Sequence, residues 1–330
     1  MKALGIRGIG ILVLLLGSCS DGKKATGLES LVSLEVAASL AFAEGPAYHP
    51  DGRLFFTDIA NNRIVVLDAS TSQGTVGRIP GVFRKPSGRA NGLAIDQEGR
   101  LLACEGADEG GNRRVTRTEG DGPMTVLVSE YLGTSLNSPN DLVVDRKGRI
   151  YFTDPRYGSR SDMEMEVEGV YRIDPDGALT RIIDHLQRPN GIGVSPDQKT
   201  LYVVDNNTVE GGSRKVWAYP LASDGSVGTA RLLHDFGTGR GGDGICLDKK
   251  GRVYVTAGLN VPAPANDSSV AAGVYVLSPD GDLLEFLYVP EDVVTNCTFG
   301  GPDGRTLFVT SGKTLFSTRR DTPGFSVAND

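Results

Sequence analysis

The sequence predicts an all-β fold, and three features of the 330-residue chain lead to this prediction. A short segment recurs six times along the chain, at spacings of 47 to 53 residues. Each copy places a polar turn between two apolar runs, which is typical of a β-hairpin. No long stretch shows the 3.6-residue apolar period of a helix. Six such units, each with room for about four strands, indicate a six-bladed β-propeller with four strands per blade.

The six copies supply one hairpin to each blade. A polar turn such as Lys147-Gly148 is followed by a run rich in Tyr, Phe, Val and Leu. Between copies lie two further strand-like runs, for example on either side of Asp176-Gly177, and they complete the blade. The first residues of the copies are Glu44, Asn91, Asn140, Asn190, Asp243 and Asn296.

The two ends of the repeat region predict how the ring closes. The last repeat is short, and residues 31–40 contain one strand's worth of β-type residues ahead of the first copy. Because propellers must hide their sheet edges, this N-terminal strand is predicted to complete the last blade. The propeller is therefore expected over residues 31–320, with a polar tail over residues 321–330.

The first thirty residues are predicted to direct and anchor the chain. Basic residues precede an apolar run from Ile9 to Leu16, which indicates a signal peptide over residues 1–18. The sequence LGSC, which ends at Cys19, resembles a bacterial lipobox in which that cysteine is lipidated; a plain signal peptide with a chance cysteine is the alternative. Residues 19–30 would then be a flexible tether. The chain is expected to be an exported bacterial lipoprotein, anchored at the outer membrane or located in the periplasm.

Composition excludes some partners. The net charge is −7 and no basic block is present, so nucleic acid is not expected to bind. No later apolar run approaches the length of a membrane span, so membrane contact is expected only through the lipid anchor, on a monomeric protein. The remaining cysteines fall in strand-like segments and are expected to be small buried side chains; they are Cys104, Cys246 and Cys297.

The first residues of the six copies are the candidate functional residues. Innermost strands border the channel of a propeller, so side chains at the same position of every blade converge there. Capping of turns would explain Asn and Asp at this position, but it does not explain Glu44. Two carboxylates with several amide oxygens suit one hard divalent cation such as Ca²⁺. The chain has only three histidines and none is at this position, which disfavours zinc.

The same segments resemble the gluconolactonase and regucalcin (senescence marker protein) family, and look most like its bacterial gluconolactonases. The resemblance covers roughly residues 40–315. It rests on Glu44-Gly45-Pro46, Ser138-Pro139-Asn140-Asp141, Arg188-Pro189-Asn190-Gly191, Gly242-Asp243-Gly244 and Thr295-Asn296-Cys297. It implies a catalytic divalent cation held by Glu44, Asn190 and Asp243, with Asn140 contacting the ion or the substrate. Ca²⁺ is the expected ion, and Mg²⁺, Mn²⁺ and Zn²⁺ remain alternatives.

The resemblance also implies a hydrolase that opens a sugar lactone. Asp243 would take a proton from the attacking water, or would serve only as a ligand of the ion that activates it. The substrate-binding arginine of regucalcin corresponds to Ser138 here, so its sugar contacts do not carry over. The candidate substrate-binding residues are Asn91, Asn140, Arg113, Arg156 and Tyr157. A phosphotriesterase-like hydrolase and a non-catalytic binding propeller are the alternative functions.

Overall fold

The computed structural model describes residues 32–34, 40–70, 80–263 and 266–330. The predicted signal peptide, Cys19 and the tether up to residue 30 lie outside these residues. Within the described part of the chain, no helix has the length and apolar character that crossing a membrane requires. The predicted fold class is confirmed, because the strands form six antiparallel blades around a central channel.

Each blade is one antiparallel sheet whose strands follow one another outwards from the channel. The first strand in the described part of the chain is β1 (Val32–Leu34), which belongs to blade 6. Blade 1 contains β2 (Ala43–Tyr48), β3 (Arg53–Asp58), β4 (Arg63–Asp68) and β5 (Gly81–Arg84). Blade 2 contains β6 (Ala90–Ile95), β7 (Leu101–Glu105), β8 (Arg114–Thr118) and β9 (Met124–Val128), and is followed by the small hairpin of β10 (Glu130–Tyr131) and β11 (Thr134–Ser135).

The remaining blades repeat the pattern. Blade 3 contains β12 (Leu142–Val144), β13 (Ile150–Asp154), β14 (Gly169–Ile173) and β15 (Leu179–Ile183). Blade 4 contains β16 (Pro189–Val194), β17 (Thr200–Asn206), β18 (Arg214–Pro220) and β19 (Arg231–Asp235). Blade 5 contains β20 (Gly242–Asp248), β21 (Val253–Ala257), β22 (Gly273–Leu277) and β23 (Leu283–Tyr288). Blade 6 contains β24 (Val294–Gly300), β25 (Thr306–Ser311), β26 (Thr314–Arg319) and, at its outer edge, β1.

The ring closes through blade 6, as predicted. The first strand, β1, pairs antiparallel with β26, with Val32 opposite Ser317 and Leu34 opposite Leu315. The two ends of the propeller therefore share one sheet, and opening the ring requires breaking that pairing. The strand covers the outer edge of β26, which would otherwise present unpaired backbone groups to solvent.

The hydrophobic core is divided into clusters that lie between neighbouring blades. The described residues contain six such clusters, and each joins two adjacent blades. Between blades 6 and 1, for example, Phe308 and Leu315 pack with Leu54 and Phe56. Burial of apolar surface therefore holds each blade to both neighbours around the ring and leaves the channel free for polar side chains.

The C-terminal residues differ from the polar tail that was expected over residues 321–330. A short strand, β27 (Gly324–Phe325), pairs with β20, and a 3-10 helix follows at Val327–Asn329. Asp330 accepts a hydrogen bond from Nε of Arg146 at 2.8 Å. The expectation rested only on the polar composition, whereas backbone pairing and the ion pairs of Asp330 with Arg146 and Lys249 hold this segment against the ring. It lies across one end of the channel, opposite the site described next.

Candidate active site

A cavity of about 640 Å³ occupies the other end of the channel. Five of the six first residues of the copies line it, and the sixth, Asn296, faces the opposite half of the channel. The polar and charged residues of its lining are Glu44, Asn91, Asn140, Asn190, Asp243, Arg89, Asp108, Glu109, Tyr157, Asn206, Thr208 and Arg240. Five of these residues were predicted from the repeat position and Tyr157 as a substrate contact, whereas the other six were not predicted from the sequence.

Local backbone irregularities place these side chains at the channel. The pairing of an inner strand with its neighbour shifts register at Glu44, and again just after Pro189 and Gly242. Blades 2 and 6 show the same shift at the same place. A β-bulge adds a residue to one strand, bends it and re-aims a side chain. The repeated bulge thus helps to direct the candidate side chain in these five blades; in blade 3, β12 begins at Leu142, after Asn140, and its pairing with β13 shows no such shift.

Buried aspartates fix the loops that lead into the inner strands. Asp58 accepts hydrogen bonds from the backbone N–H groups of Ala41 and Phe42, at 3.0 and 3.1 Å, ahead of Glu44. Asp154 likewise accepts from Asn137 and Ser138, both at 2.7 Å, ahead of Asn140. Asp205 accepts from Arg188 at 2.7 Å, ahead of Asn190. Asp58 and Asp154 end the second strand of their blades and Asp205 is the last but one residue of its strand, so the hairpin itself positions the candidate residue.

Asp243 is surrounded by a hydrogen-bonded network. It forms an ion pair with Nη2 of Arg240, whose Nη1 donates to the carbonyl of Val294 at 2.8 Å. Asp243 also accepts a hydrogen bond from Asn190. Burial raises the pKa of the Asp243 carboxyl, and the contacts with Arg240 and Asn190 act in the opposite direction. The arginine thus holds the carboxylate in one orientation at the inner end of the cavity.

Tyr157 positions the amide of Asn190. Its hydroxyl accepts a hydrogen bond from Nδ2 of Asn190 at 2.9 Å and donates to the carbonyl of Asn206 at 3.1 Å. The guanidinium of Arg188 lies 5.2 Å from the centre of the tyrosine ring. Burial raises the pKa of Tyr157, so the hydroxyl keeps the proton that it donates. With its nitrogen held in this way, the amide oxygen of Asn190 has a defined direction.

Glu44 belongs to a cluster of three carboxyl groups. Burial, and then the charges of Asp243 and Asp141, raise the pKa of Glu44 well above its usual value. Its Oε2 accepts a hydrogen bond from the N–H of Gly45 at 2.6 Å. The amide of Asn296 donates to Glu44 and, at 3.4 Å, to Asp141. Burial raises the pKa of Asp141 to about 7. The cluster therefore holds more negative charge than its protein neighbours balance.

Asp141, a charged neighbour of Glu44, was not predicted from the sequence, although the repeat contained a signal for it. The second residue of a copy is glycine in four blades, where the inner strands approach closely. A Cβ atom on Gly92 would lie 2.4 Å from Oδ1 of Asp141, and one on Gly244 would lie 2.1 Å from Cγ of Asn296. The two copies without glycine carry Asp141 and Cys297. A side chain is exceptional at this crowded position, so Asp141 and Cys297 stand out from the sequence of the repeat as residues that contact a neighbouring inner strand.

The donors in the cavity are of the kind that hard cations prefer. Glu44 and Asp243 offer carboxylate oxygens, and Asn140 and Asn190 offer amide oxygens. Among the described residues, the side chains of Asn91 and Asn140 have no hydrogen-bond partner, so both amides are available to a ligand. No three His, Cys, Asp or Glu side chains in the described part gather closely enough to hold a metal ion by themselves. Amide oxygens would therefore have to complete any ligand set.

Both predicted substrate-binding arginines, Arg113 and Arg156, lie outside the cavity lining. Arg156 is buried and donates through Nη1 to the carbonyl of Asn137 at 2.7 Å, and it also pairs with Asp162. Arg113 donates to the carbonyl of Leu136. Both guanidinium groups hold the loop that precedes Asn140. The two arginines that do line the cavity, Arg89 and Arg240, were not predicted.

The fold and the cavity define a class of protein: a six-bladed propeller with a carboxylate and amide site in its central channel. The chain belongs to the family described as SMP-30/Gluconolactonase/LRE-like region, which it matches over residues 42–313. The family predicted from the sequence motifs is thereby confirmed.

Relatives of known name agree with this assignment. A gluconolactonase from Zymomonas mobilis is 33% identical over 315 residues, covering 88% of this chain and 81% of the relative. The solved structure of a gluconolactonase from Xanthomonas campestris matches with a TM-score of 0.73 at 32% identity, over 89% of each chain. A calcium-binding regucalcin from Agrobacterium tumefaciens matches with a TM-score of 0.69 at 20% identity, over 88% of this chain and 93% of that one, which shows a common fold.

Proposed function

We propose that the chain hydrolyses a sugar lactone such as glucono-1,5-lactone, with the help of one divalent cation. The observation that carries the proposal is the single cavity of about 640 Å³ that Glu44, Asn140, Asn190 and Asp243 line together. Its size suits a small-molecule ligand. The lactonase names of the relatives support the same class of substrate.

The proposed cation is Ca²⁺, held by Glu44, Asn190, Asp243 and Asn140. When bound, a divalent cation would polarise the lactone carbonyl as a Lewis acid. The excess of negative charge around Glu44 supports the proposal, because an added positive charge would stabilise ionised Glu44, Asp141 and Asp243 together. Mg²⁺, Mn²⁺ and Zn²⁺ remain to be compared with Ca²⁺ by titration.

The residues of the chain would bind the lactone and handle the proton. The free amides of Asn91 and Asn140 would hydrogen-bond the sugar hydroxyls. Asp243, oriented by Arg240, would accept the proton of the attacking water, whose oxygen bonds to the carbonyl carbon. The ring C–O bond then breaks and its oxygen takes up a proton, which gives an aldonic acid. If Asp243 acts only as a ligand, another base must accept that proton.

The test is acid release from glucono-1,5-lactone by the full chain, with the spontaneous rate subtracted. We expect activity to disappear with EDTA and to return with Ca²⁺. Asp243→Asn should abolish turnover with the fold intact, and the matched control Asp235→Asn, on outer strand β19, should keep it. Calcium titration of Asp243→Asn separates the two roles, since lost affinity indicates a ligand and retained affinity indicates a base.

Other outcomes would replace the proposal. Near-normal kcat in Asp243→Asn would overturn its assignment. Turnover of a fluorophosphate ester without lactone hydrolysis would favour a phosphotriesterase. Calcium and sugar binding without turnover of any lactone or ester would favour a binding propeller.

We also propose export and lipid anchoring through Cys19, on the strength of the sequence alone. Growth with labelled palmitate tests this directly. A chain that carries no label in its membrane fraction would contradict it.

A further inference from the structure

We propose that Cys246 and Cys297 form a disulfide that joins the inner strands of blades 5 and 6 inside the channel. The Sγ atoms of the two thiols lie 3.1 Å apart. Cys246 is on β20 and Cys297 is on the adjacent inner strand, β24. The two sulfurs face each other across the interface between two blades, although 50 residues separate them along the chain.

The surroundings favour a bond between these two sulfurs over other thiol chemistry. Cys297 is almost completely buried, and Cys246 packs against the same apolar cluster between blades 5 and 6. Both line the smaller cavity of about 110 Å³ at the end of the channel opposite the candidate active site. That cavity is too small for a glutathionyl group. The remaining described cysteine, Cys104, is a free thiol buried in the cluster between blades 2 and 3, away from this pair.

The position of Cys297 within its repeat is a second, independent indication. Cys297 follows Asn296 directly, at the position where four of the six copies have glycine because the strands approach closely. A side chain at this position is therefore directed at a neighbouring inner strand. In blade 6 the group that it meets is the thiol of Cys246. The crosslink would thus join the strand of Asp243 to the strand of Asn296.

Bond formation is a two-electron oxidation, and we name a low-molecular-weight disulfide as the oxidant. One thiolate attacks a sulfur of oxidised glutathione and releases one glutathione thiolate. The second thiolate displaces the other glutathione, so two cysteine protons are lost and two glutathione thiols form. Burial raises the pKa of Cys246 well above its usual value, which slows this attack in the folded chain. The C-terminal segment covers the same cavity through Phe325 and Val327. Exchange is therefore expected during folding, before blades 5 and 6 close.

The experiment refolds the denatured, reduced full chain in a glutathione redox buffer and, separately, in dithiothreitol. Peptide mapping under non-reducing conditions should find Cys246 linked to Cys297 only in the first sample, with two fewer titratable thiols. The melting temperature of the linked sample should be several degrees higher, because the crosslink restricts the unfolded chain. The Cys104→Ala control should show the same link and the same shift.

Two further variants complete the test. Cys246→Ala and Cys297→Ala should lose both the linked peptide and the difference in melting temperature between the two buffers. Both thiols recovered free after refolding with glutathione, or each carrying glutathione, would overturn the proposal. A link from Cys104 to either thiol would overturn it as well. Lactone hydrolysis is not a readout here, so these results are independent of the proposed activity.

Discussion

Negative charge is concentrated where the inner strands meet, and a few neighbouring side chains determine how far each buried carboxylate is stabilised. Glu44, Asp141 and Asp243 are all buried, and only Asp243 has a guanidinium beside it. Burial disfavours the charged form of a carboxyl group, and each neighbouring negative charge adds to that effect. A site with this imbalance is suited to recruit positive charge. The same imbalance makes the exact placement of neighbouring amides important, because they are the remaining groups that can stabilise the carboxylates.

Tyr157 and Arg156 are adjacent in the chain but should respond differently to substitution. Tyr157→Phe removes the hydroxyl that holds Nδ2 of Asn190. We expect kcat/KM for the lactone to fall about tenfold, which corresponds to ~1.4 kcal/mol, with little change in stability. Arg156→Met removes the contacts to the loop before Asn140 and should lower the free energy of unfolding by about 1 to 3 kcal/mol.

Steady-state kinetics and urea unfolding on both variants test this pair. KM for the lactone should remain within about twofold of the parent in Arg156→Met, because that side chain does not reach the cavity. A large rise in KM for this variant would restore the substrate-binding role that the sequence predicted for Arg156. Unchanged kcat/KM in Tyr157→Phe would show that the hydrogen bond from Asn190 to the tyrosine hydroxyl does not contribute to activity.

At the scale of the strand pair, a turn motif recurs in the innermost hairpins. In blades 2, 3 and 5 an aspartate accepts hydrogen bonds from backbone N–H groups of its own turn and from Nε of the arginine four residues on. The aspartates are Asp96, Asp145 and Asp248, and their partners are Arg100, Arg149 and Arg252. In each motif the aspartate accepts hydrogen bonds from backbone N–H groups that the turn would otherwise leave unsatisfied. The arginine balances the charge of that aspartate. The glycine before the arginine has positive φ, which lets the turn close.

Removing the arginine of a buried turn motif should lower the stability of the fold substantially. The side chains of Arg149 and Asp145 are 8% and 1% exposed, so Arg149→Met leaves a buried carboxylate without its cation. We expect the free energy of unfolding to fall by about 3 to 5 kcal/mol, measured by urea denaturation. The matched control is Arg319→Met, whose pair with Asp303 is about half exposed and should contribute less than ~1 kcal/mol. Equal losses in both variants would refute the role of burial.

At the scale of the whole molecule, the architecture was predictable because it repeats. Six copies of one hairpin specify the blade, the number of blades and the position that faces the channel, and Glu44 and Asp243 followed from that position. Contacts between blades are not repeated, so Arg240 and the thiol pair were found only in the structure. The C-terminal segment was missed for the same reason, since pairing of Gly324–Phe325 with β20 depends on a strand far away in the sequence.

Closure of the ring by β1 leads to the last prediction. The double variant Ser33→Pro/Leu34→Pro removes two neighbouring N–H groups, and one of them faces β26 because strand donors alternate. The ladder loses a hydrogen bond and β26 becomes an exposed edge. We expect the free energy of unfolding to fall by about 1 to 3 kcal/mol. We also expect a concentration-dependent tendency to associate, since an uncovered edge can pair with another chain.

Urea denaturation and light scattering across a range of protein concentrations measure these two effects. The control Ser33→Ala/Leu34→Ala keeps both N–H groups, so it should keep the strand pairing and remain unassociated. If the proline variant matched this control in stability and in scattering, β1 would not contribute to closure. The contacts between blades 6 and 1, such as Phe308 with Phe56, would then be sufficient to hold the ring together.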